Sequence, residues 1–245
     1  MEISLAAETI GHIGSFPITN SFLTSLIASF VLIVIAVIVR VSIKATPDGA
    51  QNAVEIVFEF LISQIESDFG SYDEEKKYFP SLTTIFLFVL TNNWLGLLPG
   101  VGTIGINEVV HGKEVLIPLF RSGNADLNTT IALAFLAVFF VQIFGILGIG
   151  LGKYLGKFFN FSNPIHFGVG LLEIVSEISR IVSFAFRLFG NIFAGEVLLM
   201  VIAMLVPYVV PMPFYIIELF FGFIQALVFT MLTIVFIRMA TLKEH

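Results

Sequence analysis

Ser183-Phe-Ala-Phe-Arg187-Leu-Phe-Gly190-Asn191-Ile-Phe-Ala-Gly195-Glu196 lies inside the run 165–206, which is largely apolar and contains no proline. Read as one helix, about 42 residues would extend about 63 Å at ~1.5 Å per residue. That is about twice the ~30 Å hydrocarbon thickness of a bilayer, so the helix must tilt, bend or project beyond it. Pro207, Pro211 and Pro213 then turn the chain without adding charge, and a further long helix is expected from 214 to about 241. Arg187 falls near the centre of the first of these helices. A guanidinium there costs about 2.5–3.5 kcal/mol on insertion scales. Its charge is therefore expected to be used, and an ion pathway is the first function to consider.

The rest of the chain fits the same setting. Its 245 residues are 57% hydrophobic and only 12% charged, with a mean hydropathy of +0.99; soluble domains carry about 25% charged residues. The strand alternation of a membrane β-barrel is not seen. Further spans are expected at about Phe22–Val41, Phe79–Leu98 and Thr129–Leu151. Between the first two, Gln51, Glu55, Glu59 and Ser63 recur every four residues among Val54, Val57, Phe58, Leu61 and Ile65. That pattern predicts an amphipathic helix over 50–67, suited to a membrane interface. A turn is expected at Pro47-Asp48-Gly49, a surface loop over Glu66–Lys77, a polar excursion over 101–127, and a loop from Lys153 and Lys157 to Asn163-Pro164. The predicted fold is an all-α, polytopic membrane protein. It has five crossing helices plus the interfacial helix, the last two crossings forming a long, strongly tilted hairpin. It reads as a single membrane domain over 1–245: an external N-terminal segment (1–21), three spans with the interfacial helix and loops (22–163), and an ion-translocating hairpin (164–245).

Several functions are excluded by what the chain lacks. There is no cysteine, which removes disulfides, iron–sulfur clusters and thiolate metal sites. His12, His111, His166 and His245 show no metal-ligand spacing, so neither a metal nor any other cofactor is expected. The net charge of −6 argues against nucleic acid as a partner. The start, Met1-Glu-Ile-Ser-Leu-Ala-Ala-Glu8, lacks the basic region of a cleaved signal or transit peptide. No nucleotide-binding Gly-rich loop or Ser-His-Asp grouping is present, so no catalytic site of its own is expected. Five crossings with the N-terminus outside place Arg40, Lys44, Lys76, Lys77, Lys153, Lys157, Arg238 and Lys243 on the cytoplasmic side. Lys113 and Arg121 then lie outside, the asymmetry expected of a membrane chain in that orientation.

On a helical wheel with Arg187 at zero, Arg180 falls at about 20°, Ser183 at about −40°, Ser176 at about −20°, Asn191 and Glu173 at about 40° and Glu177 at about 80°. Gly190 and Ala194 share that side, and small residues there let another helix approach closely. Glu196 falls at about 180°, on the opposite face. On the last helix Glu218 and Gln225 are seven apart and share a face. Arginine stays protonated and is a fixed charge, whereas the carboxylates of Glu196 and Glu218 can titrate. Plainer readings exist for each. Glu173, Glu177 and Arg180 fit ion pairs near a helix end, Glu196 and Glu218 fit a shared-proton structural pair, and Asn191 and Gln225 fit interhelical cross-links. Arg187 itself is too far from either bounding proline to snorkel readily.

At these residues the sequence resembles subunit a of the rotary F-type ATP synthases. The resemblance rests on Arg-Leu-Phe-Gly-Asn at 187–191 with Ala-Gly-Glu at 194–196. Asn92-Asn93 with Leu97-Leu98-Pro99, Asp126-Leu-Asn128-Thr129-Thr130, Leu172-Glu173, Ile224-Gln225-Ala226 and Met231-Leu-Thr-Ile add to it, over about residues 20–245. It implies an ion-translocating stator subunit, for protons or sodium, whose tilted hairpin lies against a rotating c ring. Arg187 would face the ring and separate two half-channels. Glu196, Glu218, Asn191 and Gln225 would line the outer one, and Glu173 would serve the cytoplasmic exit. Asn93, Asp126, Asn128, Ser176, Glu177, Arg180 and Ser183 are further candidates for channel lining. Implied partners are the c ring, peripheral-stalk b subunits, the other ATP synthase subunits and the lipid bilayer. The implied location is a bacterial plasma membrane, with the thylakoid membrane as the alternative. Two rivals remain: a stand-alone secondary transporter or channel, against which no internal symmetry is visible, and a passive anchor, which the buried charges disfavour.

Overall fold

The computed structural model describes residues 6–43, 49–69, 72–98, 100–102, 104–110, 113–158, 164–207 and 209–241. Seven α-helices carry the fold among these residues: α1 (Asn20–Ser42), α2 (Gly49–Phe69), α3 (Tyr72–Leu95), α4 (Leu127–Ile149), α5 (Leu151–Phe158), α6 (Pro164–Leu205) and α7 (Pro211–Thr241). Two small antiparallel hairpins accompany them, β1 (Thr9–Ile13) with β2 (Phe16–Thr19), and β3 (Gly105–Val110) with β4 (Lys113–Pro118). The chain is an all-α, polytopic membrane protein. Helices α1, α4, α6 and α7 are each long and apolar enough to cross a bilayer. Helix α3, expected as the remaining crossing, is long enough but is not among these four, because Thr83, Thr84, Thr91, Asn92 and Asn93 dilute its hydropathy. Phe30, Ile33, Val37 and Val41 of α1 are left exposed, the outward apolar face expected of a helix lying against lipid.

Local chemistry explains where the helices begin and end. Thr19 caps α1, its hydroxyl accepting from the Phe22 backbone N–H, and Asp126 caps α4 by accepting from that of Asn128. Gly150 adopts φ +85 and closes α4, donating its backbone N–H to Ile146 O. Pro211 opens α7 rather than preceding it, three residues before the expected start; a missing N–H is harmless in the first turn. Pro213 falls in that same turn.

Three expected loops differ from the structure. Residues Glu66–Lys77 are helical up to Phe69 and again from Tyr72, because the Glu and Lys that make the run hydrophilic also favour helices. Lys153 and Lys157 lie on α5, where Tyr154 and Phe158 sit one turn apart with ring centroids 5.6 Å from each other. The excursion over 101–127 contains the β3–β4 hairpin and a single 3-10 turn at Gly123–Ala125. Pro47-Asp48, Phe159–Asn163, His111 and His245 lie outside the described residues.

The core forms where α3, α4, α6 and α7 meet. Phe86 and Val89 of α3, Ala134 and Ala137 of α4, Phe184, Ala185 and Leu188 of α6, and Ala226 and Phe229 of α7 are all buried together. Phe184 packs against Phe229 at 4.9 Å and Phe236 at 5.6 Å between ring centroids, locking α6 onto α7. Thr230 and Thr233 are fully buried but satisfy themselves, each hydroxyl donating to the carbonyl four residues back.

Candidate functional site

Helix α6 divides into two faces. Phe184, Ala185, Leu188 and Ile192 enter the core, while Ser183, Phe186, Arg187, Gly190, Asn191 and Ala194 form an exposed stripe. Arg187 Nη2 donates to Ser183 Oγ at 3.4 Å, one turn back. The space beside Gly190 is open, since a β-carbon built there would meet nothing within 4 Å. Asn191 Nδ2 donates to Gln225 Oε1 at 2.6 Å and ties α6 to α7. The buried Gln225 Nε2 has no partner among the described residues.

Toward the C-terminal end of α6 lies a cavity of about 360 Å³ whose walls include Asn93, Arg121, Glu196, Met200, Tyr215 and Glu218. Glu196 Oε2 accepts from Arg121 Nε at 3.1 Å. Arg121 also donates through Nη1 to Ala6 O at 3.1 Å, and its guanidinium lies 5.7 Å from the Phe193 ring centroid. Burial pushes the Glu8 carboxyl up, with Arg121 pulling it back down. Glu218 is only 7% exposed. It fits because residue 195 is glycine: a β-carbon there would collide with the Glu218 carboxylate. Asn93 Nδ2 donates to Gly222 O at 2.8 Å and its Oδ1 accepts from Asn124 Nδ2 at 2.7 Å, fixing α3 against α7 beside the cavity.

A second cavity, of about 450 Å³, lies toward the N-terminal half of α6 and is lined by Tyr154, Lys157, His166, Glu173, Glu177 and Arg180 among others. Arg180 Nη1 donates to Glu177 Oε1 at 2.5 Å, and its guanidinium stacks 4.5 Å from the Phe236 ring centroid. Tyr154 donates its hydroxyl to Gln142 Oε1. Its phenol is pushed up to about 12, chiefly by burial and then by the negative charge of Glu177 and Glu173, against the pull of Arg180. Along α6, Arg187 is seven residues from Arg180 and nine from Glu196, about 10 Å and 14 Å of helix rise.

The sequence-derived candidates thus separate into groups. Glu196, Glu218 and Asn93 line one cavity; Glu173, Glu177 and Arg180 line the other. Arg187 and Ser183 are exposed between them, and Asn191 and Gln225 join the two long helices. Ser176 is half-buried on α6. Asp126 and Asn128 stand at the start of α4, where Asp126 Oδ1 accepts from both the backbone and the side chain of Asn128. Sequence reasoning missed Arg121 as a site residue and used it only for orientation. Its partner is 75 residues away, so no spacing rule could have paired them.

The family model for the ATP synthase A chain matches residues 22–238. Among curated proteins, the chain is 34% identical over 222 residues to ATP synthase subunit a of Campylobacter jejuni, covering 89% of this chain and 88% of that one. It is 31% identical over 228 residues to that of Moorella thermoacetica, covering 93% of each. Against that of a Sulfurihydrogenibium species it is 37% identical over 225 residues, covering 90% of this chain and 98% of the relative. With the match running from α1 through the hairpin of α6 and α7, the chain belongs to the ATP synthase subunit a family, the non-catalytic membrane subunit of the ATP synthase complex.

Proposed function

We propose that this chain conducts ions, protons or sodium, through two offset half-channels against a rotating c ring, with Arg187 as the barrier between them. One observation carries the reading: an exposed arginine near the middle of a spanning helix, with a cavity holding charged side chains toward either end of that helix. A guanidinium facing hydrocarbon would be costly, whereas a ring carboxylate arriving beside Gly190 and Ala194 would neutralise it. An ion would enter the Glu196–Glu218 cavity, board the ring, and leave through the Glu173–Glu177–Arg180 cavity. Because arginine does not give up its proton, Arg187 repels cations passing directly from one cavity to the other. Each charge crossing yields about 2.3 kcal/mol per 100 mV. The outer cavity faces away from the cytoplasm of a bacterium in this reading, and peripheral-stalk b subunits hold the chain still.

The test is ion-driven ATP synthesis in membrane vesicles carrying Arg187→Ala, with copurification of the c ring as the assembly control. The expected result is an assembled complex that makes no ATP when an ion gradient is imposed. Retained synthesis would defeat the proposal. Isolation of the chain as a functional oligomer without a ring would support a stand-alone channel instead.

A further inference from the structure

We infer that Arg121 is a positioning residue of the Glu196–Glu218 cavity, anchored by the N-terminal segment and holding the Glu196 carboxylate against the cavity wall. The inference rests on the half-channel reading above and assigns a task within it. Arg121 lies just beyond β4, far from the long hairpin in sequence, yet its side chain is only 7% exposed. Its backbone is fixed first: its N–H donates to Thr24 Oγ1 at 3.2 Å, and the next residue, Ser122, donates its hydroxyl to Asn92 O at 3.0 Å. The guanidinium then works in three directions. Nε meets Glu196, Nη1 meets Ala6 O, and the cationic plane lies near Phe193, on α6 one turn before Glu196.

The geometry distinguishes the two acids of the cavity. Glu196 is held by one arm of a planar guanidinium whose other arm is fixed on Ala6 O, an arrangement lysine cannot reproduce because an ammonium is a point charge on a flexible stem. Glu218 stands against Gly195 on the facing helix, where the missing side chain leaves room for its carboxylate end. Among the described residues, Glu8, just before β1, acts on Arg121 through its charge, and Tyr215 of α7 lines the same cavity. Arg121 is therefore a fixed cation that acts on two acids, hydrogen-bonded to Glu196 and attracting Glu8. Its removal would release Glu196 into the cavity, and misplacement of a working group by about 1 Å can cost about 100-fold in rate.

The experiment measures ion-driven ATP synthesis by the whole complex in vesicles, with c-ring copurification as the assembly control, for Arg121→Gln, Arg121→Lys, Glu196→Gln and the Arg121 variants combined with Glu196→Gln. The expected rates are about tenfold lower or worse for Arg121→Gln and about threefold lower for Arg121→Lys, in line with an effect of position. In the Glu196→Gln background neither change lowers the rate further, because the two side chains act as one unit. Wild-type rate in Arg121→Gln, or losses that multiply when the changes are combined, would overturn the inference. Should Arg121→Gln fail to assemble, Arg121→Lys is decisive: a threefold loss confined to the Glu196 background supports it, and equal effects in both backgrounds overturn it. Arg187→Ala in the same membranes separates the two readings. Synthesis surviving there removes the half-channel proposal, whereas its loss beside a fully active Arg121→Gln removes only this inference.

Discussion

The two cavities along α6 are built on the same plan and differ in how it is realised. Each places an arginine against a glutamate and over a phenylalanine ring: Arg121, Glu196 and Phe193 at one end, Arg180, Glu177 and Phe236 at the other. The Glu177–Arg180 pair is three residues apart on one helix and forms wherever that helix forms. The Arg121–Glu196 pair is assembled from the far side of the fold and exists only when α6 packs under the segment before α4. A local pair adjusts charge on one surface. A non-local pair also fixes the position of one element against another, so its loss should reach further.

That contrast orders the expected effects. Glu196→Gln removes the carboxylate that accepts from the buried guanidinium of Arg121, a change that costs several kcal/mol when burial is complete and about 1–3 kcal/mol here, where Glu196 is 31% exposed. Ion-driven synthesis should fall at least tenfold, measured in vesicles at equal complex content. Glu218→Gln should slow translocation to a similar degree without affecting assembly; rates unchanged across pH would leave Glu218 only a structural part. Gly195→Ala is milder, because the new methyl meets the mobile end of Glu218 rather than backbone. It should lower the rate several-fold with c-ring copurification intact, and an unchanged rate would show that the Glu218 carboxylate need not occupy that spot.

At the other cavity the losses should be smaller. Glu177→Gln removes an i,i+3 pair whose two side chains are only 15% and 14% exposed, on the order of 1–3 kcal/mol of stability, but it leaves Arg180 on Phe236 and the helix in place. A twofold change or less is expected; a loss equal to that of Glu196→Gln would erase the distinction between local and non-local pairs. Tyr154→Phe removes one buried hydrogen bond, about 1 kcal/mol of stability in thermal melts of the detergent-solubilised complex. The phenol's raised pKa adds a sign. The protonated form is favoured in the fold, so its contribution is full below about pH 10 and lost as pH rises toward about 12. The gap between wild type and Tyr154→Phe should therefore narrow over that range.

The same local–non-local division decides what could be read from sequence. Helix α6 was legible almost to the residue, because absence of proline and sustained hydropathy are local properties. The opposition of Arg187 and Glu196 followed from helical periodicity alone, and one is exposed on the outer stripe while the other faces a cavity. The run Glu66–Lys77 was misread because charge signals exposure, not loss of helix. Arg121 escaped for a deeper reason. Its meaning lies in the tertiary approach of Ala6, Thr24 and Glu196, three elements whose proximity no pattern within one segment encodes. The glycine at 195 likewise carries no role in the sequence alone until Glu218 is seen against it.

The absence of cysteine allows the central claim, two paths opening on opposite sides of Arg187, to be measured directly. Single cysteines at Met200 and Val169 would each line one cavity of the same helix. Membrane-impermeant thiol reagents applied separately to right-side-out and inverted vesicles should label residue 200 only from outside and residue 169 only from the cytoplasmic side. Labelling of both positions from one side, or of each from both, would contradict the account.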